Sequence, residues 1–217
     1  MGVERLSRYA ALALYGGIGN NMANVNTALN EDTQKQVADW VGDIVALESH
    51  IEEAMDHQIK IKSDNTELTS TLQRFHDTVR ASKYRAEDYQ KAIGSTAGNP
   101  VIKAGASILG KAAGVLDKVR SDSISKSLRD DYTAFNMAAI AYTMLHTTAM
   151  AVGDARTQQF AGEGLKTYAS LVQDINRAIP LAVAVELKDS GDIPSLDTSV
   201  VDSCRAFIDS AWKSTSN

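Results

Sequence analysis

Inward-facing residues recur at alternating steps of three and four along two successive stretches, and this spacing constrains the fold more than any other feature of the chain. In the first stretch they fall at Val37, Trp40, Ile44, Leu47, Ile51 and Ala54. In the second they fall at Leu68, Leu72, Phe75, Val79, Ser82, Ala86, Tyr89 and Ile93. Such steps keep one side of an α-helix against a core. The spacing predicts a first helix from near Asp32 or Thr33, and Ser63-Asp64-Asn65 offers the N-cap of a second. Two long helices joined by a few residues pack as an antiparallel hairpin.

The remainder reads as a second hairpin. Gly94-Ser-Thr-Ala-Gly-Asn-Pro100 is a linker, and Val101 to Val119 is an amphipathic stretch carrying Lys103, Lys111 and Lys118. That stretch is expected to cross over one end of a bundle. A third helix is predicted from about Leu128 to Val152, closed by Gly153-Asp154. A fourth is predicted from Ala155 to Ala178, with Phe160, Gly164, Tyr168, Leu171 and Ile175 inward, stopping before Pro180. A short final helix is expected from Thr198 to Trp212. Only 3 prolines and 6% aromatics in 217 residues disfavour a sheet sandwich. The expected fold is all-α: an antiparallel four-helix bundle of ferritin-like type, with a long crossover and short extra N- and C-terminal helices. Residues 1–27 read as an apolar arm and 28–217 as one domain.

Charge and cysteine content narrow the function. The net charge of −5 is mild and its signs are interspersed, so no nucleic-acid partner is expected. Cys204, the single cysteine, has no internal disulfide partner and fits a cytoplasmic, reducing setting. Arg5 and Arg8 before the apolar run Tyr9 to Ile18 loosely imitate a signal peptide, but Glu4 interrupts them and the cleavage site is poor. Tyr132 to Gly153 lacks Asp, Glu, Lys and Arg, yet it carries Asn136, His146 and four threonines. A fully buried central helix, not a transmembrane segment, is the expectation.

Three sequence stretches resemble a known family. Leu128-Arg-Asp-Asp-Tyr-Thr-Ala134, Ala141-Tyr-Thr-Met-Leu-His-Thr-Thr-Ala149 with Gly153-Asp154, and Ala182-Val-Ala-Val-Glu-Leu187 before Ala211-Trp212 are similar to the Yci-type stress-associated branch of bacterial ferritin-like proteins. The likeness covers roughly residues 30 to 213. It implies a bundle whose metal-binding relatives hold two iron or manganese ions with Glu and Glu-x-x-His ligands from four helices.

No Glu or Asp here has a histidine three residues on. Glu48 shares a row with Val41 and Met55 and aligns with the first-helix glutamate of those relatives. A carboxylate there needs a partner, so it is either a hydrogen-bonded structural group or a surviving ligand. His76 sits in a polar row with Thr69, Lys83 and Gln90 and reads as exposed. His146 reads as a core histidine satisfied by Tyr142 or Thr143. His50 and Glu53 read as solvated, and Asp130-Asp131 as acids in the first turn of the third helix.

Glu48, His76 and His146 are therefore the metal candidates of a degenerate site. Phosphate-loop, nucleophile-elbow and Cys-x-x-Cys motifs are absent. The expectation is a non-catalytic, self-associating bundle without cofactor, structural or stress-associated, with a homo-oligomer formed through the N-terminal segment. The alternatives are an iron- or manganese-dependent oxidoreductase around Glu48, and a bundle binding a small apolar ligand among Ala138, Ala139, Ala141 and Ala149.

Overall fold

The structure is a computed structural model and describes residues 31–94 and 123–214. The arm at residues 1–27, with its expected extra helix and signal-like run, and the stretch Val101 to Val119 lie outside the described residues. Five helices form: α1 (Glu31–Gln58), α2 (Thr66–Ala92), α3 (Ile124–Val152), α4 (Ala155–Asp189) and α5 (Thr198–Ser214). No described residue is in a strand. The all-α bundle expected from the periodicity is thus what forms.

Local chemistry sets the ends. Asn65 caps α2 by accepting the Leu68 amide at 3.0 Å, and Asp154 caps α4 by accepting the Thr157 amide at 3.0 Å. Gly153 closes α3 at φ 75°, a left-handed conformation that favours glycine, so only two residues separate α3 from α4. The start of α3 borrows a carboxylate from α4. Glu186 accepts from the Ser125 amide at 2.9 Å, the Ser125 hydroxyl at 2.6 Å and the Ser123 hydroxyl at 2.9 Å.

Polar contacts between helices fix the topology. Gln58, the last residue of α1, meets Asp131 near the start of α3, so these helices are antiparallel. Tyr89 in the last turn of α2 meets Thr157 in the first turn of α4, so these are antiparallel as well. The order is up, down, down, up. The chain therefore leaves α2 at one end of the bundle and enters α3 at the other, roughly 40 Å away for a helix of this length. Helix ends placed in this way call for a connection between opposite ends of the bundle.

One boundary and one burial pattern differ from expectation. α4 does not stop before Pro180 but continues to Asp189. A helix-interior proline costs about 3 kcal/mol. Beyond it, Leu181, Ala182 and Val185 extend the buried stripe, and burying two such large side chains returns about 3–6 kcal/mol. The packing prevails. α3 is not fully buried either: Met137, Ile140, Met144 and Met150 are exposed. No described helix is long and apolar enough to cross a membrane.

Candidate functional site

The four long helices each contribute one residue to a polar cluster deep in the bundle. α1 supplies Glu48, α2 Ser82, α3 Tyr142 and α4 Tyr168, and none is more than 2% exposed. Glu48 shares its burial with Val41 and Met55 on the row that the sequence assigned to it. Its Oε1 accepts from the Ser82 hydroxyl at 2.7 Å and the Tyr142 hydroxyl at 2.8 Å. Arg85 in turn donates to the Ser82 oxygen at 3.1 Å. The Tyr168 hydroxyl lies near the same carboxylate and acts on its ionisation, although neither it nor Glu48 Oε2 makes a well-formed hydrogen bond.

Gly164 makes this arrangement possible. It lies one turn before Tyr168, and a Cβ there would fall 2.2 Å from Cε1 of Tyr142. Only a glycine leaves room for the ring. Tyr142 then stacks on Tyr168 with centroids 5.9 Å apart and meets Phe160 edge-on at 5.8 Å. Phe160 stacks on Tyr89 at 4.0 Å, while Tyr168 leads through Phe135 to Phe75. The buried aromatics form a chain of rings that locks both tyrosines.

Burial pushes the Glu48 carboxyl above its usual range, and the hydroxyl donors and Arg85 draw it partly back. Burial and the neighbouring carboxylate likewise raise the Tyr142 and Tyr168 hydroxyls. The edge of the cluster meets a groove of about 810 Å³ beside α2, where Ser82, Arg85 and Thr167 of α4 come together.

The other two metal candidates, His76 and His146, do not form a group with Glu48. His76 is 3% exposed, not solvated as its polar row suggested. Its Nε2 faces Asp56 Oδ1 at 2.9 Å and its Nδ1 faces Asp77 at 3.4 Å. The row is polar because it packs against acids of α1: Lys83 in the same row is bound by Glu52. His146 is half-buried with its ring against Gly162, not enclosed. Neither expected hydroxyl serves it, since Tyr142 donates to Glu48 and Thr143 to the Ala139 carbonyl at 2.8 Å. Glu53 is exposed as read, and His50 is half-buried.

The donor set does not fit a dinuclear centre. Around Glu48 stand neutral hydroxyls and the Arg85 guanidinium, whose positive charge opposes a divalent cation. Glu52, one turn further along α1, is held by Lys83 and Arg80. Among the described residues no group of three or more His, Cys, Asp or Glu side chains could hold a metal ion.

A second buried acid was misplaced by sequence reasoning. α3 begins at Ile124, so Asp131 lies two turns inside it and not in its first turn. It is 3% exposed, and Gln58 Nε2 donates to its Oδ1 at 2.7 Å. Burial, helped by the nearby charge of Asp130, pushes its carboxyl up to about 7, against the pull of the Gln58 bond.

Fold and cluster define an all-α four-helix bundle with a buried carboxylate enclosed by hydroxyl donors. A family model described as Domain of unknown function (DUF892) matches residues 32–186, and the chain belongs to that family. The matched span holds all four bundle helices as far as Glu186, and leaves α5 outside. No curated protein and no solved structure matches the chain.

Proposed function

We infer that this protein is a non-catalytic, ferritin-like helical bundle that works by self-association, in a structural or stress-associated role. The observation that carries this reading is the outer face of α3. Thr133, Met137, Ile140, Met144, Thr147 and Ala151 are all exposed and recur at alternating steps of four and three. That is the spacing of a helix–helix seam.

The threonines add apolar surface to it. Thr133, Thr143 and Thr147 return their hydroxyls to carbonyls four residues back, which turns their methyl groups outward. α3 is therefore apolar on its core side and again on its outer side, a pattern that belongs to helices covered all round. An uncharged seam has no charge pattern that would exclude an identical copy, so a second chain of the same kind is the partner it suits. The hydroxyl cage around Glu48 supports the non-catalytic half of the reading, since its oxygen donors and guanidinium suit a held carboxylate better than iron or manganese.

Sedimentation velocity from nanomolar to about 100 μM tests the seam. Wild type should associate with concentration, while Ile140→Asp and Met144→Lys should remain monomeric with unchanged unfolding midpoints, because both sites are exposed. A wild-type chain that stays monomeric over the whole range refutes self-association. Association that survives both substitutions refutes the seam.

A further inference from the structure

α5 lies beyond the family's matched span, and it stands against α4 so as to enclose a cleft of about 490 Å³ with α3 and α4. That volume lies inside the range of about 300–1,000 Å³ typical of small-molecule sites. The wall is firmly placed. Val201 is buried, Arg205 donates to the Arg177 carbonyl at 2.9 Å and to Glu67 at 2.8 Å, and Arg177 pairs with Asp209 at 3.5 Å.

The lining is chemically specific. Three carboxamide residues line the cleft: Asn136 of α3 and Gln173 and Asn176 of α4. Asparagine is a poor helix former, and Asn136 interrupts the long uncharged run of α3. Its Nδ2 donates to the Tyr132 carbonyl at 2.7 Å, which leaves Oδ1 as the acceptor on that side. Each carboxamide offers donors and an acceptor in one plane, without the desolvation cost of a charge. Pro180 has no N–H, so it gives no helical bond to the Asn176 carbonyl, a further acceptor in the same turn. Ala139 and Ala169 keep one surface shallow, the Trp212 indole supplies an aromatic wall, and Lys213 adds a positive charge. Among the described residues the one acid that lines it, Asp209, is engaged by Arg177.

We propose that the cleft between α3, α4 and α5 binds a flat heteroaromatic ring with an amide-like edge, of the kind carried by flavins and nucleobases. The shallow alanine surface and the indole take the two faces of the ring. The carboxamides match the alternating donors and acceptors of its edge, and Lys213 suits a phosphate or carboxylate substituent. Because α5 completes the cleft, one wall of the site lies beyond the matched span.

Isotope-labelled full-length protein titrated with flavin mononucleotide, with guanosine monophosphate and, as a ring-free control, with ribose 5-phosphate tests this. Either ring ligand should shift the side-chain amides of Gln173 and Asn176 and the Trp212 indole to saturation, with a Kd below about 1 mM. The control should not. Ala169→Leu, which fills an exposed position of the cleft, and Asn176→Leu, which removes one amide, should each weaken binding by about tenfold or more with no change in unfolding midpoint. Saturable shifts from neither ring ligand, equal shifts from the control, or wild-type affinity in Ala169→Leu would each overturn the assignment.

Discussion

Replacing Asp131 with asparagine should flatten the pH dependence of stability and strengthen the protein in mild alkali. Asp131 is enclosed, and its one hydrogen bond comes from Gln58. Its Oδ2 and the Gln58 Oε1 are both buried without a partner. A proton on Oδ2 could supply the donor that this pair lacks, and burial pushes the carboxyl up to about 7 from an ordinary 3.8. The folded chain therefore binds that proton more tightly than the unfolded chain does. The sign follows: the contribution is complete below 3.8, declines as pH rises towards 7, and changes no further above it. The interval sets a ceiling of about 4 kcal/mol, and relaxation of the site should leave roughly 1–2 kcal/mol. Asparagine keeps the Oδ1 acceptor and replaces the acid's proton by an N–H donor that does not titrate. Urea unfolding of both proteins from pH 4.5 to 8.5, read as the difference between them, removes every other titrating group from the comparison. The variant should gain about 1–2 kcal/mol on wild type between the acid and alkaline ends. A constant difference across the range, or a variant that weakens relative to wild type as pH rises, would refute the reasoning.

Gly164→Ala should destabilise, although alanine is the better helix former by about 1 kcal/mol. The new Cβ would overlap the Tyr142 ring, and moving that ring breaks its bond to Glu48, so the net cost should be about 2–4 kcal/mol. Chemical unfolding checks it, and a neutral or stabilising result would mean the ring is not packed there. Glu48→Gln should lie within about 1 kcal/mol of wild type, because the amide keeps an acceptor for both hydroxyls. Glu48→Ala should lose about 3–5 kcal/mol by leaving a cavity and two unpaired hydroxyls. Equal losses in thermal melts of the two variants would indicate that the negative charge itself is needed.

The parts of the fold legible in the sequence were those carried by periodicity. Val37, Ile44, Leu47 and Ile51 and Leu68 through Tyr89 form the core as spaced, Trp40 is half-buried against it, and Asn65 caps α2 as expected. Pro180 misled because a local rule about proline is weaker than the apolar stripe continuing through Val185. α3 misled because absence of charge was equated with burial, whereas one bundle covers only about one side of a helix. The candidate site was half legible. Glu48 reads as a carboxylate on an apolar row that is either hydrogen-bonded or a ligand, but the sequence does not name its donors, and the Tyr142 hydroxyl was assigned to His146. The available signal was that buried tyrosines need partners for their hydroxyls, and Tyr142 and Tyr168 sit on core positions. Asp131 was misread because α3 starts one turn before Leu128, and His76 because its partner Asp56 comes from another helix. No local window contains that information.

The buried polar contacts occupy three levels of an otherwise apolar core, and their placement accounts for why such groups stand there. At one end Tyr89 joins α2 to α4 through Thr157. At mid-height Ser82 and Tyr142 bind α2 and α3 to one oxygen of Glu48 on α1. At the opposite end Gln58 joins α1 to α3 through Asp131. Apolar ridges alone allow neighbouring helices to slip by a turn, since knobs and holes repeat along each axis. A slip of one turn, about 5.4 Å, would break these bonds and strand two carboxyl groups, an amide and several hydroxyls away from water. Each unmet group costs about 1–3 kcal/mol, so the slipped register becomes the less stable one. The carboxylate of Glu48 thus has a structural use that requires no ligand: it sets the height at which three helices meet.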